Sequence, residues 1–170
     1  MNDKEIVNLV KKAKGNDTDA FTELMNFYMK DMYRTAIAIL MNDEDAADAI
    51  QDTILACWEK LRMLREIKLF KTWMTRILIN KCYDIQRQRR AMADYEEYEE
   101  PVATEEYNLE LKEALAALDE RYRVPMTLFY ALGYQTGEIA KILHIPKSTV
   151  QTRLARGRER LAKYYGMEKE

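Results

Sequence analysis

Glycine and proline are scarce in this chain, five and three in 170 residues. Long stretches therefore lack the two residues that most often end a helix. His144 is the only histidine, which excludes any metal site built on several of them. Cys57 and Cys82 are the only cysteines, in no C-x-x-C pair, and each falls among apolar positions of a predicted helix. They read as small buried hydrophobes rather than as a disulfide or a metal site. No apolar run has the length of a transmembrane helix, and the opening MNDKEIVNLVKK lacks the hydrophobic segment of a signal peptide. The expected compartment is the cytoplasm. There is no G-x-S-x-G, no P-loop and no G-x-G-x-x-G. The expectation is a protein that is not an enzyme, with no metal, no cofactor and no small-molecule substrate.

What is present favours helix. Ala, Leu, Met, Glu, Lys and Arg are plentiful, and 48% hydrophobic with 33% charged residues is an ordinary folded balance. A first helix is expected over about Asp3 to Lys14, closed by Gly15. Asn16 or Asp17 can cap a second, with Phe21, Leu24, Met25, Tyr28 and Met32 at helical spacing, running to about Leu40. A third starts after Asn42 or Asp43, with acids in its first turn. A fourth runs from about Phe70 to Arg90. Later helices are expected over about Leu109 to Leu118, Arg123 to Leu132, and a closing pair. No stretch alternates as strands do, so the fold class is all-α. The stretch AMADYEEYEEPVATEEY is acidic, carries a proline and has no helical stripe. It reads as a linker, residues 91–107, between domains at 1–90 and 108–170.

The net charge of −2 conceals segregation. Residues 94–120 hold eleven acidic side chains against one basic, a balance of −10. Residues 121–170 hold ten basic against four acidic, +6, and residues 73–93 hold five against one, +4. Local charge decides whether a surface attracts phosphate, and here two basic segments flank an acidic one.

In TGEIAKILHIPKSTVQTRLARGRERL, Thr136 can cap a helix that breaks at Pro146. Ser148 with Gln151 fits a capping box for a second helix. Val150, Leu154, Gly157 and Leu161 fall on one side of it. Ser148, Thr152, Ala155 and Arg156 fall opposite, with Thr149, Gln151 and Arg153 on the flanks. A short, polar, basic face at a helix start is the end that reads bases in helix-turn-helix proteins. In FKTWMTRILINKCYDIQRQRR, Met74, Leu78, Cys82 and Ile85 make one stripe and Arg76, Asn80, Asp84 and Arg87 the opposite one. Trp58, Phe70 and Trp73 bracket the basic loop KLRMLREIKLFK, and rings beside cations suit unpaired bases. They suit a core equally, and at least one of Trp58 and Phe70 belongs there.

Four segments in order carry a resemblance: NDEDAADAIQDTILACWEKL, FKTWMTRILINKCYDIQRQRR, ALAALDERYRVPMTLFYALGYQTGEIAKIL and HIPKSTVQTRLARGRERL. They look like regions 2.2, 2.3–2.4, 4.1–4.2 and the 4.2 reading helix of the extracytoplasmic-function sigma factors, within the sigma-70 family. Gly137 departs from the usual bulky residue of the first hairpin helix, and Met74 stands where Leu is common. The resemblance implies a region 2 helical bundle and a region 4 helix-turn-helix joined by the acidic linker. It implies binding to the clamp helices of the core RNA polymerase β′ subunit and to promoter DNA. Members are typically restrained by an anti-sigma factor, often membrane-tethered.

On that resemblance, Arg76, Asn80, Lys81, Asp84 and Arg87 are expected to meet the −10 strand, and Leu64 to Leu69 to wall a pocket for an extruded base. Lys147, Ser148, Thr149, Gln151, Thr152, Arg153 and Arg156 are expected at the −35 element. Arg158 and Arg160 are expected as peripheral phosphate contacts or intramolecular partners. On the acidic helix, Ala47, Ile50, Ile54 and Trp58 would face inward, and Asp45, Asp48, Asp52 and Leu55 outward, flanked by Gln51. A row of carboxylates repels DNA and suits a basic protein surface, here the polymerase. The competing reading is a stand-alone helix-turn-helix regulator, a dimer on paired half-sites, which would leave that acidic row without a task. A nucleic-acid-modifying enzyme lacks an acid–base or metal constellation.

Overall fold

The structure is a computed structural model that describes residues 1–92 and 109–166, with side chains for 1–92 and 113–166. All but the first two residues of the expected linker, 91–107, lie outside that range. The described residues are helical, with no strand among them.

Helix α1, Asp3–Lys14, is capped by Asn2, whose side chain accepts from Glu5 N at 2.9 Å. Helix α2, Thr18–Leu40, is capped by Asp17, which accepts from Ala20 N at 3.1 Å, so of the two candidate caps it is Asp17. Helix α3, Asp43–Lys60, is capped by Asn42, which accepts from Asp45 N at 2.9 Å. Two short 3-10 turns, Leu61–Met63 and Ile67–Leu69, lead into α4, Phe70–Met92. The caps of α1, α2 and α3 each satisfy one of the amide donors that a helix N-terminus leaves open.

The second set comprises α5, Leu109–Ala116, and α6, Glu120–Met126, the latter capped by Asp119. A wider turn over Thr127–Ala131 continues α6 just after Pro125, with Leu132 N donating to Thr127 O at 3.2 Å. The helix expected over 123–132 is thus one widened and offset element, starting three residues earlier. Helices α7, Thr136–Leu143, and α8, Lys147–Tyr164, form the hairpin.

The hairpin caps differ from expectation. Gln135, not Thr136, precedes α7, and Glu138 accepts from its backbone N at 3.1 Å. Ser148 does not cap α8: His144 turns left-handed at φ 56°, Pro146 takes the cap position, and the Pro146 carbonyl accepts from Thr149 N and Val150 N. Proline's fixed φ sets the entry, so the helix begins one residue before Ser148.

One hydrophobic core runs through both sets of helices. Phe70, Leu24, Met32, Met74 and Leu78 anchor the first; Leu128, Ile139, Val150 and Leu154 anchor the second. Helix α2 packs on α6, and α4 packs on α7. Inside the second set α8 meets α6 at Gly157, where an added Cβ would lie 2.2 Å from Met126 Sδ. Gly157→Val is therefore expected to destabilise by about 1–3 kcal/mol through overpacking. At Gly137 a Cβ would meet nothing within 4 Å. Gly137→Ala is expected to be neutral or to stabilise by up to about 1 kcal/mol. Thermal unfolding of the two variants checks both.

Cys57 and Cys82 are fully buried, and burial pushes both thiols up to about 12. Neither forms appreciable thiolate near neutral pH, and the thiolate is the reactive form. The native protein is expected to leave both unmodified by a thiol reagent at pH 8 and to release two equivalents on denaturation.

Candidate polymerase and nucleic-acid interfaces

On α3, Asp48, Gln51, Asp52 and Leu55 form one exposed stripe, and Leu55 keeps 59% of its surface in water. Asp45 is a correction. It is only 6% exposed, and Arg89 of α4 pairs with it, Nη2 to Oδ1 at 2.7 Å. It sits in the first turn of α3, where α4 crosses, and the crossing converts a surface acid into a packing contact. Ala47 is a second correction: it is exposed, and Ala46, Ala49, Thr53, Ala56 and Cys57 line the inner face with Ile50. Ile54 and Trp58 are half-buried.

On α4, Arg76, Asn80, Asp84 and Arg87 are exposed along one side and Lys81 is half-buried beside them. Asp84 and Arg87 pair with each other, three residues apart, so the acid does not oppose phosphate alone. Being solvent-exposed, that pair contributes little to stability. Arg76 donates from Nη2 to the Lys141 carbonyl of α7 at 2.9 Å. Phe70 is core, while Trp73 packs half-buried against it at 5.9 Å between ring centres, and Trp58 packs on Phe21 at 5.0 Å. In the loop before α4, Leu64 is buried and Lys14 holds its carbonyl at 2.6 Å. Leu69 remains exposed.

On α8, Lys147, Ser148, Gln151, Thr152 and Arg156 are exposed, and Thr149 and Arg153 are half-buried. Ser148, Thr149, Thr152, Arg153 and Arg156 line a cleft of about 320 Å³ together with Arg121 and Tyr122 of α6. Three guanidiniums and the hydroxyls of Ser148 and Thr149 around one open cleft suit a phosphate, while the Thr152 hydroxyl donates to the Ser148 carbonyl at 3.0 Å. Sequence reading missed Arg121, which lies 27 residues before Ser148; only folding brings α6 beside α8. Arg160 lies over the Tyr122 ring, 5.0 Å from its centre, and Arg158 donates to the Tyr130 hydroxyl at 3.0 Å. Both are intramolecular partners.

The described residues thus present one exposed acidic stripe on α3, one basic aromatic-flanked helix, α4, and a helix-turn-helix of α7 and α8. Residues 24–92 match Sigma-70 region 2, and residues 108–161 match Sigma-70, region 4. The ECF RNA polymerase sigma factor SigW of Bacillus subtilis is 27% identical over 91% of this chain and 93% of its own length. SigV of the same organism is 30% identical over 76% of this chain and 81% of its own. The sigma factor RpoE solved with the anti-sigma factor NepR from Bartonella quintana is similar with a TM-score of 0.77 at 26% identity, covering 88% of this chain and 98% of that one. The chain belongs to the sigma-70 family, as an extracytoplasmic-function RNA polymerase sigma factor that directs transcription initiation. That removes the stand-alone regulator as a reading. No helix among the described residues is long and apolar enough to cross a membrane, and no group among them could hold a metal ion.

Proposed function

We propose a division of labour among three faces. The α3 stripe of Asp48, Gln51, Asp52 and Leu55 binds the clamp helices of core polymerase. Arg76, Asn80, Lys81, Asp84 and Arg87 on α4 bind the −10 strand as the duplex opens. Residues Lys147 to Arg156 on α8 read the −35 element in the major groove, Arg121 adding a phosphate contact from the side. The domains are residues 1–90 and 108–170, tethered by 91–107. The protein works in the cytoplasm, catalyses no reaction itself, and is restrained by an anti-sigma factor. The separation of one exposed acidic stripe from two exposed basic faces is the observation that carries this reading. Charges so placed repel the wrong partner as well as attracting the right one.

A photo-crosslinking residue placed in turn at Gln51, Asn80 and Thr152 of the holoenzyme tests it. Gln51 is expected to label a polymerase subunit, Asn80 the −10 strand and Thr152 the −35 duplex. Labelling of DNA from Gln51, or of polymerase alone from Thr152, would reverse the assignment.

A further inference from the structure

A second cleft lies beside the first. About 350 Å³ in volume, it is lined by Arg156, Glu159, Arg160 and Lys163 of α8 and by Tyr122 of α6. The two clefts have Tyr122 and Arg156 in common. Arg156, Arg160 and Lys163 follow one another at four and three residues, so they fall on one side of α8. Gly157 lets that helix come close to α6, since a Cβ there would stand 3.5 Å from Tyr122 Cβ. The close approach makes Tyr122 the second wall. Its ring is buried, and Arg121 and Arg160 each stack on it with the guanidinium carbon 5.0 Å from the ring centre. Stacking uses the flat face of a guanidinium and leaves its N–H edge for an anion. A side chain already held in place also loses less freedom when a ligand arrives.

The place of this cleft on α8 sets it apart from the reading end. At a rise of about 1.5 Å per residue, Lys163 lies about 24 Å along the helix from Lys147. A major groove is about 12 Å wide and takes the first turns of a reading helix. Residues 159–163 stand beyond those turns.

We infer that this second cleft binds a nucleoside triphosphate. Arg156, Arg160 and Lys163 supply charge-assisted donors for the phosphates. The volume reaches the range of small-molecule sites, about 300–1,000 Å³. Glu159 separates a nucleotide from a bare polyphosphate or a DNA backbone. An ionised carboxylate repels phosphates, but it accepts from ribose hydroxyls or a base amine, which those two anions do not offer it. Tyr164, 49% exposed and one turn beyond Arg160, gives the base a ring to stack on, and Tyr165 meets that ring edge-on at 5.4 Å.

Arg156 ties the cleft to the −35 face proposed above. A triphosphate that holds Arg156 withdraws a cation from the first cleft and sets negative charge beside it. Nucleotide and duplex therefore weaken each other, each by the same factor. The nucleotide site stands without the −35 role; only its effect on duplex binding rests on it.

In the test, the full chain is dialysed against ATP, adenosine or inorganic triphosphate at equal ionic strength. Anisotropy reads its binding to a labelled duplex carrying the −35 element that the holoenzyme selects, with and without ATP. The wild type is expected to retain ATP about tenfold more tightly than inorganic triphosphate, and to retain no adenosine. Saturating ATP is expected to weaken duplex binding about fivefold. Lys163→Glu is expected to lose ATP affinity about tenfold or more and to stop responding to ATP. Without ATP its duplex affinity is expected to stay within about twofold of wild type. Glu159→Ala is expected to bind inorganic triphosphate more tightly and to prefer ATP by about twofold or less. Both positions are exposed, and unfolding curves check that each variant is folded. No retention of ATP by the wild type at about 1 mM overturns the inference. So does equal retention of ATP and inorganic triphosphate, the mark of a bare anion patch. Loss of duplex binding by Lys163→Glu without ATP overturns it as well, because the cleft is then a contact for the DNA backbone. ATP retention with no duplex binding by the wild type supports the site and counts against the −35 role alone.

Discussion

Asp48→Arg combined with Asp52→Arg is expected to weaken binding to core RNA polymerase about a hundredfold or more, with the fold unchanged. Both carboxylates are exposed on one stripe of α3, so reversing them disturbs no internal contact. Each reversal turns attraction into repulsion at a protein interface, and together they cost several kcal/mol. Asp45 provides the contrast. Its carboxylate is held by Arg89 and turned away from solvent, so Asp45→Ala is expected to remove a packing contact instead. The arginine left behind is 58% exposed and is rehydrated, so the loss destabilises by about 1 kcal/mol or less. Asp45→Ala should therefore lower the unfolding temperature and leave polymerase affinity near wild type. Pull-down or calorimetric titration of the folded variants reads both effects. Wild-type affinity in the double reversal would remove α3 from the polymerase interface.

Alanine at Gln151, Arg153 or Arg156 is expected to change which −35 sequences the holoenzyme prefers. The three lie in the first turns of α8, and the two arginines line the cleft with Arg121. A side chain that pairs with a base edge contributes about 1–3 kcal/mol of discrimination, roughly fivefold to 150-fold at the position it reads. A phosphate contact weakens all sequences alike and lowers the salt dependence by about one unit of slope. Arg121→Ala is expected to behave in that second way. Arg160 is occupied by the Tyr122 ring, so Arg160→Ala is expected to leave the preferences as they are. Selection of promoter variants by each mutant holoenzyme at fixed salt separates these outcomes. Unchanged preferences in the Gln151, Arg153 and Arg156 variants would mean that α8 holds the backbone without reading it.

Local signals in the sequence were legible wherever a helix is shaped by its own residues. The starts of α2 and α3 fall at one of the two caps offered for each, Asp17 of Asn16 or Asp17 and Asn42 of Asn42 or Asp43, because caps act within one turn. The exposed stripes of α4 and α8 follow from the apolar spacing. Asp45 was not legible: its spacing matches that of Asp48 and Asp52, and only the arrival of Arg89, 44 residues later, buries it. Ser148 carried a capping signature, and the rigid Pro146 two residues earlier took the position first. Arg123 and Tyr134 read as ordinary members of a helix and a turn. Their roles come from Ala38 and Thr75, 85 and 59 residues away, and no local pattern encodes a contact between separate helical sets. Arg121 belongs to the same class, since its place in the cleft beside Ser148 and Arg156 depends on the packing of α6 against α8.

Run-off transcription from a promoter library tests the central claim most directly, with purified core polymerase supplied with or without this protein. The account predicts discrete transcripts that need the protein, arise from a shared pair of upstream elements, and vanish with Asp48→Arg and Asp52→Arg. Initiation that is absent throughout the library, or equal with and without the protein, would contradict it.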